Sequence, residues 1–149
     1  MNLFSLFSLC FTITFGLFLS GCSSDVSMVK NGTMSGFERT TIGKAFEASF
    51  NDPKWETFKG KKGERVVQFT GKISKDMHDT AMKGISGKPR VQFLGVPVPR
   101  ELKFDWKIGD PVQVQWVIRP DGKEFDLVFM GSPSWEGVPM EDILTIIYG

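Results

Sequence analysis

The chain has 149 residues, with 18 lysines and arginines against 17 aspartates and glutamates, so its formal net charge is +1. That length suits one domain of ordinary size behind a targeting segment. The balance leaves neither the basic face that nucleic acid requires nor a polybasic patch of the kind that holds proteins to anionic lipid.

The first element in chain order is an almost unbroken apolar run over residues 3–19, without a charged side chain, which closes on Leu19-Ser20-Gly21-Cys22. An apolar segment ending in small residues is the pattern of a secretory signal. A run of this length could instead be an uncleaved spanning helix, since spanning takes about 17–25 residues. Ser5, Ser8, Thr12, Thr14 and Gly16 interrupt the run, the first cation is Lys30, and no stop-transfer cluster follows. The small residues followed at once by cysteine favour the signal.

Leu19-Ser20-Gly21-Cys22 resembles the lipobox of bacterial lipoproteins. The resemblance implies that residues 1–21 are a signal peptide, that the Cys22 thiol receives diacylglycerol, and that the new amine of Cys22 is acylated, typically with palmitate. It also implies a cell-envelope protein held to a membrane by its N-terminal lipid. In a diderm cell, Ser23 is not the aspartate that marks inner-membrane retention, so the outer membrane is expected. Cys10 and Cys22 are the two cysteines. Cys10 would leave with the signal, and the mature domain would carry no disulfide, cysteine nucleophile or cysteine-metal site.

Residues 22–36 are small and polar, and read as a flexible tether. A single domain is then expected over 37–149. Residues 40–50 read as a helix: Ile42, Ala45, Phe46, Ser49 and Phe50 recur at helical spacing. Thr40 or Thr41 can cap its start, and Asn51-Asp52-Pro53 ends it. The period then changes to two. Residues 55–59 and 65–73 read as strands of a hairpin, with Val67, Phe69 and Ile73 on one face. Lys59, Lys61 and Lys62, flanked by Glu56 and Glu64, read as its solvated turn.

Residues 74–89 have no sustained period and read as the longest loop, with a helical turn possible at 77–83. Residues 90–94 and 102–106 read as strands, and 95–100, with Pro97 and Pro99, as extended but not central. Val112, Val114, Trp116 and Ile118 alternate up to Pro120-Asp121-Gly122-Lys123, a turn in which proline and glycine supply the required φ values. Phe125, Leu127 and Phe129 then alternate in the returning strand. After a break at Gly131-Ser132-Pro133, residues 138–148 read as a helix with Met140, Ile143, Leu144 and Ile147 on one face, although the β-branched content of 143–147 leaves a short strand open. The sum is an α+β domain: an N-terminal helix and a short C-terminal helix packed on an antiparallel sheet of five or six strands.

Val29-Lys30-Asn31-Gly32, Thr41-Ile42-Gly43-Lys44-Ala45-Phe46, Pro53-Lys54-Trp55 and Val66-Val67-Gln68-Phe69 together resemble a pattern in small bacterial lipoproteins. That resemblance implies an envelope setting and brings no activity. Pro53-Lys54-Trp55-Glu56 and Pro133-Ser134-Trp135-Glu136 look alike, but their surrounding elements differ, so the likeness reads as coincidence rather than an internal duplication.

Chemistry-bearing patterns are sparse. His78 is the sole histidine, between Asp76-Met77 and Asp79, and a solvated loop explains it better than a metal site or a base. No nucleophile elbow and no phosphate loop is present. The expectation is therefore a non-catalytic binding or interaction module: an assembly partner, an inhibitor or a surface-exclusion factor. Its partner would be an envelope protein or a glycan, with no cofactor and no metal. The competing reading is an envelope hydrolase acting on wall polymer or lipid. Trp116, Phe69 and Phe46 are expected in the core. Trp135, with Ser134 and Glu136, sits in the break before the last helix and is the candidate partner contact, unless its indole folds back onto the core.

Overall fold

The computed structural model describes residues 23–87, 92–93, 96–97 and 106–149. Leu19, Ser20, Gly21 and Cys22 lie outside the described residues, as do most of the expected strands 90–94 and 102–106.

Helix α1 (Ser23–Asn31) is followed by α2 (Ile42–Ser49), β1 (Phe50–Lys59) and β2 (Arg65–Ile73). Helix α3 (Lys75–Gly87) and the two-residue strands β3 (Gln92–Phe93) and β4 (Val96–Pro97) come next. Strands β5 (Pro111–Ile118) and β6 (Phe125–Gly131), a 3-10 turn at Pro133–Trp135 and helix α4 (Met140–Tyr148) complete the chain. The protein is α+β, built on an antiparallel sheet of order β1-β2-β5-β6. Among the described residues this sheet has four strands, not five or six, and β3 and β4 pair with each other.

Apart from bulges in β1 and β6, the sheet's period-2 alternation divides its side chains between two faces, with Val66 buried on the second. One face carries Phe50, Trp55, Val67, Phe69, Ile73, Val112, Val114, Trp116, Ile118, Phe125 and Leu127, by register. Here Phe46 of α2 meets Phe69 edge-on at 5.1 Å and Trp116 at 5.5 Å. Trp116 stacks on Trp55 at 5.6 Å. Phe46, Phe69 and Trp116 are all fully buried, as their spacing required.

Helix α2 starts where capping chemistry puts it: the Thr41 hydroxyl accepts from Lys44 N–H. It ends at Ser49, but Asn51-Asp52-Pro53 does not form a separate break. Strand β1 begins immediately at Phe50 and absorbs these residues in a bulge between Asn51 and Lys54, with Asp52 at φ 52°. Aspartate is one of the few residues that tolerates this left-handed backbone.

Three sequence expectations fail for physical reasons. The tether over 22–36 is instead mostly helix α1, whose Val29 is fully buried and whose Asp25 is buried beside Arg65. One apolar residue per turn docks this polar segment through tertiary contact rather than through an amphipathic stripe. The loop over 74–89 is largely helix α3, because Met77 and Ala81, one turn apart, are both buried and Ser74 Oγ caps the first turn by accepting from Met77 N–H. In β6 a bulge at Val128 pairs Gln115 with Phe129 and Trp116 with Leu127. Phe129 is thereby turned to the other face, 43% exposed, and Met130 takes the inward position.

The excursion between the two central strands leaves and returns at one point. Ile73 N–H donates to Asp110 C=O at 3.0 Å, and Gly109 N–H donates to Ile73 C=O at 2.9 Å. In α4, Ile143, Leu144 and Ile147 are buried as expected, while Met140 in the first turn is exposed.

Candidate functional site

Trp135 and Ser134, the candidate partner contacts beside Glu136, are not presented to solvent. The 3-10 turn carries Trp135 inward, 5% exposed, against Trp106 at 5.7 Å and Phe50 at 6.1 Å. Ser134 is buried as well. Its Oγ accepts from Lys107 N–H at 2.8 Å and donates to the Asp110 carboxylate at 2.6 Å. These two residues tie the approach to β5 onto the end of β6. Only Glu136 remains exposed. The sequence offered the correct signal in Pro133, which with the Ser132 hydroxyl accepting from Ser134 N–H sets a helical turn rather than a free loop.

A shallow depression of about 450 Å³ opens beside this turn, lined by Met130, Ser132, Pro133, Glu136, Val138 and Met140 among others. It is open to solvent on one side, and among the described residues Glu136 is the titratable group that lines it.

His78 lies on α3, half-buried, and its Nδ1–H donates to the Trp106 carbonyl, which leaves it a structural link between α3 and the approach to β5. Asp79 pairs with Lys75 one turn earlier, and this ammonium, through its hydrogen bond, lowers the Asp79 carboxyl below the usual carboxylate range. Among the described residues, no group of three histidine, cysteine, aspartate or glutamate side chains is placed to hold a metal.

The feature that sequence reading missed is the sheet's second face. The contacts that seat helices on the sheet fall on the aromatic face already described. The opposite face presents Phe58, Gln68, Thr70, Gln113, Gln115, Val117, Val128 and Phe129. Gln68 Oε1 accepts from Gln113 Nε2 at 2.6 Å and from Gln115 Nε2 at 2.7 Å, while Gln68 Nε2 donates to Glu56. Phe129 is paired across from Gln115, and its ring lies over Gly131, 2.6 Å from where a side chain there would begin. Fixed amides beside exposed aromatic rings can offer stacking and paired hydrogen bonds to a neutral polar ligand. The clue in the sequence was the polar alternation Gln68-Thr70 and Gln113-Gln115, which ordinarily signals a solvated face. The bulge that adds Phe129 to it has no signal in residue types.

The described helices include none long and apolar enough to cross a membrane. No protein-family model, curated protein or solved structure matches the chain.

Proposed function

We propose that this chain is a lipid-anchored envelope protein that acts as a non-catalytic binding module. The observation that carries the anchor is Leu19-Ser20-Gly21-Cys22 at the end of an uncharged apolar run. The modified residue would be Cys22, and the folded domain would begin at the next residue. The binding role is supported by the glutamine and aromatic residues held in register on the second sheet face, chemistry suited to an envelope protein segment or a glycan. An assembly partner, an inhibitor and a surface-exclusion factor share this mode of action.

The test is metabolic labelling with palmitate followed by fractionation. The wild-type chain should incorporate label and sediment with membranes, and Cys22→Ala should remain an unlabelled precursor. Equal labelling and processing of the two would refute the anchor. A photoreactive residue at Gln115 should then cross-link a discrete envelope component in intact cells, whereas one at Lys44, exposed on α2, should not. Identical cross-linking from both positions would refute the binding face.

A further inference from the structure

Three segments far apart in sequence converge on Arg65. Its Nε lies 3.4 Å from Asp25 Oδ2 in the first turn of α1. Its Nη2 lies 3.4 Å from where a side chain on Gly122 would begin, in the turn between β5 and β6. Arg65 itself opens β2, directly after the turn at residues 60–63. The start of α1 and both hairpin turns therefore occupy one end of the domain. The 3-10 turn, Glu136 and the start of α4 lie toward the other, where Phe50 pairs with Ile73 and packs on Trp135.

Cys22 is bonded to Ser23, the first residue of α1. Three residues of chain span at most about 10 Å, so Cys22 cannot be farther than this from Asp25. One headgroup layer is about 5–8 Å thick. With Asp25 buried and Val29 fully buried, α1 is docked and offers no slack to lift the domain away from a lipid on Cys22.

The turn chemistry at this end fits a phosphate-bearing surface. Glu64 Oε2 accepts from Lys62 N–H at 2.8 Å, and Asp121 Oδ1 accepts from Lys123 N–H at 3.0 Å, so both carboxylates, still charged, are drawn back onto their own turns. The Asp126 carboxylate is held by Arg119 at 2.7 Å. Lys61, Lys62 and Lys123 are exposed at the turn tips.

We infer that the end formed by residues 60–63 and 120–123 rests on the headgroup layer, with Lys61, Lys62 and Lys123 against anionic lipid phosphates, contacts that orient a domain already held by its lipid rather than hold it there. This orientation rests on the lipid-anchor reading. It turns the depression by Glu136 away from the bilayer and stands the second sheet face upright beside it.

The test uses the full lipidated chain in vesicles of phosphatidylcholine and phosphatidylglycerol that carry a nickel-chelating headgroup. A nitroxide is placed at Asp121→Cys or at Glu136→Cys. Relaxation by nickel should be several-fold stronger at position 121 than at position 136, and should weaken at 121 when phosphatidylglycerol is omitted. Equal or reversed relaxation overturns the orientation, and an effect at 121 that is indifferent to anionic lipid overturns the lysine contacts. Acylation of Cys22 and vesicle flotation are measured on the unlabelled chain. Their failure removes the anchor reading and this inference with it, whereas acylated, floating protein with equal labels removes the orientation alone.

Discussion

Trp116 is the residue on which the packing account depends most. It is fully buried, stacked on Trp55 and met edge-on by Phe46. Truncation to alanine should cost about 3–5 kcal/mol in lost transfer energy and residual cavity. For a domain of this length that is a fall in melting temperature of roughly 10–20 °C. The indole adds a sharper distinction, because its Nε1–H is buried without a hydrogen-bond partner. A buried unsatisfied donor carries a desolvation penalty of about 1–3 kcal/mol, which phenylalanine does not have. Trp116→Phe should therefore recover most of the loss even though it leaves a small void. Melting followed by calorimetry and by far-ultraviolet circular dichroism would measure all three proteins. If Trp116→Ala melts within a few degrees of wild type, the sheet-face assignment is wrong. If Trp116→Phe is as damaging as Trp116→Ala, the indole N–H has a partner that stabilises it.

Two further outcomes follow from the same geometry. Val29→Asp should lower the urea midpoint by an amount equivalent to about 3 kcal/mol or more, because it leaves an unpaired charge in the core; an unchanged midpoint would mean that α1 does not dock. Burial pushes the Tyr148 hydroxyl up to about 12 from an ordinary value of 10.0. The folded state thus resists forming tyrosinate, so this contribution to stability is full below about pH 10 and is lost as pH rises toward 12. Tyr148 is the one tyrosine in the chain, so tyrosinate absorbance reports it alone. Tyr148→Phe should flatten the alkaline fall in the urea midpoint, and an identical fall in both proteins would refute the shift.

The sheet was legible because strand period and turn chemistry are local. Residues 65–73 and the inward set Val112, Val114, Trp116 and Ile118 stand where alternation put them, and Gly122 takes the positive φ expected of it. What stayed hidden depends on contacts between distant segments. The polar sequence of α1 reads as a tether until the sheet and α2 bury Val29. Trp135 reads as a free anchor until Trp106 and Phe50 arrive to receive it. A bulge moves one residue across the sheet, and nothing in Phe125-Asp126-Leu127-Val128-Phe129 announces it. The candidate site followed the same division: the Cys22 motif is written in adjacent residues, whereas the amide and aromatic face exists only once β2, β5 and β6 are in register.

The pair of hydrogen bonds between Ile73 and Gly109-Asp110 has a consequence for how this protein can vary. They close the base of the excursion that separates the two central strands, so its return is held at the point on the sheet where it left. Doubling a flexible loop adds only about 0.6 kcal/mol of closure entropy. Related chains can therefore be expected to vary in length between α3 and Trp106 while keeping the four strands aligned, whereas Trp106, packed on Trp135, and Lys107, bonded to Ser134, should stay fixed. The same stretch is the place to insert a reporter peptide without disturbing either end of the domain.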